Sequence, residues 1–207
     1  GNEHDPICGT QDGTLDFTVP KRPIRKVHKG IPAFRKAIAD FYRNTYQASL
    51  DPETMILPLM GSKEGIMHIS MAFVNEGEEV LIPNPGYPTY SSVASLVGAK
   101  LRPYDLREDL NWGIDTEALK RSDLSKVKLM WINFPHMPTG RTASRKELKA
   151  LVDLARENQF LIVNDNPYSL ILNDEPTIDA VVRSLGWVEA PVVVDPVMVA
   201  ESGAVLL

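Results

Sequence analysis

The apolar run VKLMWI (residues 127–132) is followed directly by NFPHMPTG (residues 133–140). Proline has no N–H to donate and a nearly constant φ, so the chain cannot continue a β-ladder through the second stretch and must leave the sheet in a defined turn. In open α/β sheets, ligands bind where the chain leaves the carboxyl ends of the strands. The two stretches therefore predict a buried strand that ends in a ligand-facing turn.

Similar apolar runs alternate with helical patterns along most of the chain. Continuous apolar strands separated by helices are typical of a mainly parallel sheet that is covered on both faces. We predict an α/β fold, a three-layer α/β/α domain with a mostly parallel sheet, incomplete and followed by a foreign C-terminal βα piece. The predicted strands are 55–59, 78–83, 99–106, 126–133 and 160–165, and the predicted helices are 32–46, about 63–73, 91–97, 116–124 and 144–158. On the first helix, the expected apolar stripe consists of Phe34, Ile38, Phe41 and Tyr42.

Three segments are expected along the chain. Residues 1–29 form an N-terminal arm, residues 30–175 form the main domain, and residues 176–207 pack as a C-terminal segment on the same sheet. Within the last segment we expect a helix over 178–185 and a further strand over 191–195.

The composition excludes several classes of protein. The chain has 207 residues, 22 lysines and arginines against 27 aspartates and glutamates, and a net charge of −5, which argues against nucleic-acid binding. The short basic stretch at 21–29 is best explained as a solvated arm. A single cysteine, Cys8, rules out an intrachain disulfide. Because neither a membrane-spanning run nor a signal peptide is recognisable, we expect a soluble, cytoplasmic protein without a membrane partner.

Each predicted strand-to-helix junction carries an unusual polar turn. In a parallel sheet these turns lie on the carboxyl edge, around one crevice. The four junctions are GSKEG (61–65), PNPGYPTY (83–90), NFPHMPTG (133–140) and DNPYS (165–169).

Each junction taken alone has a functional and a structural interpretation. The start of a helix at Ser62, together with the charge of Lys63, would bind an anion, although Ser62 is also a good N-cap. Tyr87 would stack on a flat ring or simply pack in the core. A carboxylate at Asp165 is costly unless it meets a cation or several donors, and the alternative is that it caps a loop. Tyr168 would add a phenol three residues later.

In this order and spacing, the four junctions resemble the large domain of the class I/II aminotransferases, the pyridoxal-phosphate enzymes of the aspartate aminotransferase fold. The resemblance runs from GIPAFRKAIADFY through LPLMGSKEGIMH, LIPNPGYPTYSSV and NFPHMPTGR to LIVNDNPYSLIL, over roughly residues 30–175. It implies transfer of an amino group between an amino acid and a 2-oxo acid, with pyridoxal 5′-phosphate as the cofactor and a homodimer as the assembly. No metal ion is implied.

The resemblance also implies roles for five residues. Ser62 and Lys63 match the turn that holds the cofactor phosphate, and Tyr87 matches the aromatic residue that stacks on the pyridine ring. Asp165 matches the carboxylate that keeps the ring nitrogen protonated, so that the ring acts as an electron sink. Tyr168 matches the phenol that donates to the ring oxygen O3′.

Two departures from the family pattern concern the chemistry. The family's turn usually ends in asparagine-proline-threonine-glycine, and Met137 stands at the asparagine, where a thioether is a poor substitute for an amide donor. His136, Asn133 or Tyr168 alone would then make the contact to O3′. The lysine that bonds covalently to the cofactor should follow Tyr168, but no lysine follows Lys149. The small domain and its substrate-binding arginine are also not recognisable.

The C-terminal stretch resembles a second family. VVVDPVMVAESG (192–203) is similar to the hydroxymethylpyrimidine-phosphate kinases of thiamine synthesis, which have a ribokinase-like fold, although Asp195 and Pro196 are also explained as the end of one more strand. Three functions follow: an aminotransferase whose activity is uncertain without the lysine, a non-catalytic cofactor-binding relic or chimera, and a thiamine-pathway kinase fragment.

Overall fold

The computed structural model describes residues 29–168 and 192–194, which form one six-stranded sheet with helices on both faces. The helices are α1 (Pro32–Tyr46), α2 (Ser62–Phe73), α3 (Pro88–Leu96), α4 (Thr116–Lys120) and α5 (Arg145–Asn158), with a 3₁₀ turn at Glu108–Leu110. The strands are β1 (Glu79–Asn84), β2 (Lys100–Arg107), β3 (Gly113–Ile114), β4 (Val127–Ile132), β5 (Leu161–Asp165) and β6 (Val192–Val194). The predicted arm up to residue 28 and the predicted helix at 178–185 lie outside the described residues.

The strand order is β3-β2-β1-β4-β5-β6, and only the short β3 runs antiparallel to its neighbour. After β1 the chain moves outward to β2 and β3, and it then returns to the other side of β1 to form β4. The direction of winding therefore reverses between β1 and β4. The carboxyl ends of these two strands form a topological switch point, which is where ligands bind in sheets of this kind.

Two apolar layers separate the sheet from its helices. Alternate residues of each strand point to opposite faces, so Leu129 and Trp131 belong to one layer and Met130 and Ile132 to the other. The first layer includes Ile66 of α2 and joins the sheet to α2 and α3. The second layer includes Leu151 of α5 and joins it to α4 and α5. The three-layer α/β/α prediction is confirmed.

Local chemistry accounts for where the helices begin. In α3, Pro88 is the first helical residue, where its missing N–H costs nothing. In α5, Ser144 and Glu147 form a capping box, each side chain bonding the other residue's backbone N–H.

The helix α2 ends at Phe73, shortly before β1 begins at the amino edge. Because α2 is 12 residues long, about 18 Å, its first turn lies toward the carboxyl edge.

Two predicted elements need correction, and one observed strand was missed. Residues 55–59 do not form a strand: they have no partner in the sheet, and Leu57 is 58% exposed. The helix expected over 116–124 ends at Lys120, and the Ser122 hydroxyl donates to the Leu119 carbonyl near its end. The short strand β3 was not predicted, since two residues are too few for a recognisable pattern.

The buried face of α1 also differs from the predicted stripe. Ile38, Phe41 and Tyr42 are half-buried as predicted, but Phe34 is exposed. The fully buried residues of the helix are Arg35, Ala39 and Tyr46. Arg35 is tolerated there because its guanidinium donates to the carbonyls of Lys29, Gly30 and Pro52 and pairs with Glu53.

Candidate functional site

The turns after β1, β4 and β5 meet at the switch point, and each is built to leave the sheet sharply. After β1, a Cβ on Gly86 would clash with the Pro83 carbonyl oxygen, so only glycine fits this turn. After β4, the peptides before Pro135 and Pro138 are cis, and Gly140 has a φ of 71°. Because β1, β4 and β5 are neighbours in the sheet, the three turns lie side by side at its carboxyl edge.

Asp165, the last residue of β5, is buried at this edge with 4% of its surface exposed. The Tyr90 hydroxyl of α3 donates to its Oδ2 at 2.8 Å. A buried carboxylate is stable only with donors or a cation around it, and Tyr90 supplies a neutral donor. The structure thus places a buried carboxyl group at the end of β5, on the carboxyl edge of the sheet.

Tyr90 is held rigidly between aromatic rings. Its ring stacks on Trp131 of β4, with 5.1 Å between centroids and an interplanar angle of 6°, and meets Tyr87 edge-on at 5.7 Å. Burial, followed by the neighbouring charge of Asp165, raises the pKa of Tyr90 well above its usual range. The hydroxyl therefore keeps its proton and acts as a donor. Tyr87 is half-buried at the first turn of α3, beside this stack.

Two buried asparagines join the turn after β4 to the end of β5. Asn133 Nδ2 donates to the Asp165 carbonyl at 2.6 Å, and its Oδ1 accepts from the Met137 N–H at 2.8 Å. The Phe134 N–H donates to Asn164 Oδ1 at 3.1 Å. The prolines of this turn cannot donate, and these asparagine contacts hold the turn at the strand ends instead of a ladder.

His136 lies inside the same turn and is 3% exposed. Its Nδ1 and the Thr139 hydroxyl are 2.8 Å apart, and its backbone N–H donates to the Arg141 carbonyl at 2.8 Å. Burial lowers the pKa of His136 below its ordinary value, and the Pro85 carbonyl nearby opposes this effect in part. The ring is therefore neutral near pH 7, and it packs inside the turn.

Tyr168 contacts Met137, the residue that stands where the turn of the aminotransferases usually has asparagine. Its hydroxyl donates to the Met137 sulfur at 3.2 Å, and both side chains are half-buried. The phenol predicted from the sequence and the unexpected thioether are therefore direct neighbours.

Ser62 and Lys63 form the first turn of α2, which begins after Gly61 without a side-chain cap. The alternative interpretation of Ser62 as the N-cap does not hold, because the N-cap is Gly61 and Ser62 is the first helical residue. Lys63 is exposed, and the space beside the Gly61 Cα is open. The Glu64 carboxylate accepts from the Met60 N–H at 2.7 Å. Free N–H groups and a nearby ammonium are the features of an anion site.

Sequence reasoning missed Tyr90 and Asn164. Tyr90 follows Tyr87 by three residues on a helix, so its sheet-facing position was predictable, but its partner is 75 residues away. Asn164 is an asparagine inside an apolar strand, which is a costly placement without a partner. From the sequence alone, Asn164 could therefore have been recognised as a residue that needs a specific hydrogen-bond partner.

The described residues include neither a membrane-spanning helix nor a cluster of metal-ligating side chains. Between residues 29 and 168 and at 192–194, no helix has the length and apolar character needed to cross a bilayer. The same residues contain no group of three or more histidine, cysteine, aspartate or glutamate side chains that would hold a metal ion.

We predict that Tyr90 and Asp165 are energetically coupled. Tyr90→Phe removes a donor from a buried carboxylate and should destabilise the chain by about 1–3 kcal/mol. In an Asp165→Asn background, where no charge remains to be solvated, the same change should cost less. Urea unfolding of the parent, both single variants and the double variant measures the coupling energy. Equal costs of Tyr90→Phe in both backgrounds would contradict the predicted charge-assisted bond.

Comparison with known proteins identifies the family. The Aminotransferase class I and II family model matches residues 27–203. LL-diaminopimelate aminotransferase of Dehalococcoides mccartyi is 38% identical over 146 residues, which are 70% of this chain and 38% of that protein. The enzyme of the same name from Desulforudis audaxviator is 36% identical over 175 residues, 82% of this chain and 45% of that protein. The solved structure of substrate-bound BacF from Bacillus subtilis has a TM-score of 0.68 at 31% identity, over 73% of this chain and 40% of that one.

These matches bear on the C-terminal stretch and on the length of the chain. The family match continues to residue 203 and thus includes the stretch that resembles a kinase, so the kinase-like interpretation finds no support. The chain spans less than half of the length of the curated relatives described here. By its family match and its relatives, the chain belongs to the class I and II aminotransferases.

Proposed function

We propose that the carboxyl edge of this sheet binds pyridoxal 5′-phosphate and serves the transfer of an amino group between an amino acid and a 2-oxo acid. The observation that carries the proposal is the buried Asp165 carboxylate at the switch point, held by Tyr90. The relatives named as LL-diaminopimelate aminotransferases support the reaction class.

The residues at the edge fit the chemistry of this cofactor. Its phosphate needs donors and positive charge, which the uncapped start of α2 and Lys63 offer beside the open space at Gly61. Its ring nitrogen needs an anionic partner, which Asp165 supplies. A flat ring needs an aromatic or apolar surface, and Tyr87 is half-buried beside the Tyr90–Trp131 stack.

Asp165 would keep the ring nitrogen of the cofactor protonated. A carboxylate attracts a cationic nitrogen strongly when little water separates them, and Asp165 is almost fully buried. When bound, the cofactor supplies an electron sink for bond breaking at the amino acid. Tyr90 would orient the Asp165 carboxyl group through its hydrogen bond.

Four further residues would orient the cofactor. Tyr87 would pack on the ring face, and Tyr168 would donate its phenol hydrogen to the ring oxygen. Ser62 and Lys63 would hold the phosphate, Ser62 through its N–H and hydroxyl and Lys63 through its charge. Backbone donors remain when a side chain is replaced by that of alanine, so the phosphate contact should tolerate the loss of one side chain better than the ring contact does.

Titration calorimetry with pyridoxal 5′-phosphate tests the proposal. Asp165→Asn keeps the shape of the side chain but removes its charge, and the loss of one partner of a buried charge pair costs roughly 3–5 kcal/mol, or more than about 100-fold in affinity. Lys63→Ala should weaken binding less.

The matched control is Asp105→Asn. Asp105 is an exposed carboxylate near the carboxyl end of β2, where it accepts from the Asn84 amide at 2.8 Å. We expect this variant to bind the cofactor like the parent. Equal losses from the two substitutions, or no binding by the parent, would contradict the proposed site.

A second candidate function is non-covalent cofactor binding without catalysis by these 207 residues. The specific observation is that no lysine follows Lys149, so none follows Tyr168 within this sequence. Covalent attachment in aminotransferase chemistry requires a lysine amine.

Borohydride reduction separates the two candidates. If the chain binds the cofactor only non-covalently, reduction of the complex and peptide mapping should give no adduct that maps stoichiometrically to a single lysine. Lys63 is the lysine proposed to lie near the cofactor phosphate, and the Lys63→Ala variant shows whether any adduct formed in the parent is attached to it. A stoichiometric adduct at one lysine would instead support covalent catalysis by this chain.

The assembly proposed for the protein is a homodimer, and the proposed location is the cytoplasm. Several apolar side chains between residues 31 and 60 are exposed, which favours self-association. They are Ile31, Phe34, Met55, Leu57, Leu59 and Met60.

A further inference from the structure

The contact between Tyr168 and Met137 is unusual in its acceptor. A phenol normally donates to an oxygen atom, and a thioether sulfur is a weak acceptor. Here the Tyr168 hydroxyl donates to the Met137 sulfur at 3.2 Å, with both side chains partly accessible at the carboxyl edge. The phenol hydrogen therefore has a defined direction but only a weak partner.

The backbone of Met137 is tied to the candidate site. Its N–H donates to Asn133 Oδ1 at 2.8 Å, and Asn133 Nδ2 donates to the Asp165 carbonyl at 2.6 Å. One buried asparagine thus links the residue that carries the sulfur with the residue that carries the carboxylate. The thioether, and through it the phenol, is placed relative to Asp165 by this link.

We propose that Met137 is a competing acceptor, whose sulfur holds the Tyr168 phenol hydrogen at the carboxyl edge until an oxygen of a ligand replaces it. Its weak acceptor holds the phenol hydrogen in place but gives it up easily, because an oxygen of the ligand is a better acceptor than the sulfur. Tyr168 then serves as the donor to that oxygen without an amide from position 137. The identity of the ligand, pyridoxal 5′-phosphate, rests on the proposed function above.

The contact itself can be tested in the free chain. With ¹³C-methyl-labelled methionine, Met137→Leu assigns the Met137 signal among the seven methionines. Tyr168→Phe keeps the ring and removes only the hydroxyl, so a shift of the Met137 signal reports the hydrogen bond. The signal of Met130, which is fully buried in the layer under α5, should not move. An unmoved Met137 signal would overturn the proposal.

The competition between sulfur and ligand is tested by cofactor affinity. Met137→Leu removes the acceptor at similar volume, and because the bond to sulfur exists only before the ligand binds, its loss should strengthen pyridoxal 5′-phosphate binding about three- to tenfold. Tyr168→Phe should weaken binding, and the double variant should bind like Tyr168→Phe alone, because Met137 acts only through the phenol. Weaker binding by Met137→Leu, or a double variant whose affinity differs from that of Tyr168→Phe, would overturn the role. If the parent does not bind the cofactor, the proposed function fails, and the methionine signal alone decides whether Met137 orients the phenol.

Discussion

The hydrogen bond from Tyr90 to Asp165 joins two parts of the chain at the carboxyl edge of the sheet. A carboxylate with 4% exposure is costly at the end of a buried strand, and the tyrosine hydroxyl offsets part of that cost. The same bond ties the first turn of α3 to β5, and Tyr87, three residues before Tyr90, meets the Tyr90 ring edge-on. One interaction thus connects the aromatic residues with the buried carboxyl group of the candidate site.

The turn after β4 completes the site in a different way. Its two prolines leave it without ladder donors, and Asn133 and Asn164 replace the missing contacts with side-chain hydrogen bonds. These bonds are buried and connect the turn to the end of β5. The turn therefore brings Met137 to the Tyr168 phenol. The polar residues in this region are structural supports that hold neighbouring functional groups in place.

Much of this architecture follows from the sequence, because its signals are local. Continuous apolar runs predicted β1, β4 and β5, and the turn residues after them predicted the carboxyl edge with Tyr87, Asp165 and Tyr168. The sequence does not reveal pairings between distant residues: the Tyr90–Asp165 bond spans 75 positions. The burial of Arg35 in α1 was also not predicted, because it depends on hydrogen bonds to the carbonyls of Gly30 and Pro52, which lie outside the helix. Residues 55–59 have strand-like composition but no neighbouring strand to pair with.

The central claim is that Asp165 serves as the anionic partner of a pyridine nitrogen. The most direct measurement is ¹⁵N NMR of pyridoxal 5′-phosphate labelled at the ring nitrogen, in the presence of excess chain. At a pH where the ring nitrogen of the free cofactor is unprotonated, we expect the bound cofactor to give a pyridinium signal that disappears in Asp165→Asn. A bound cofactor whose ring nitrogen stays unprotonated in the parent chain would contradict the account.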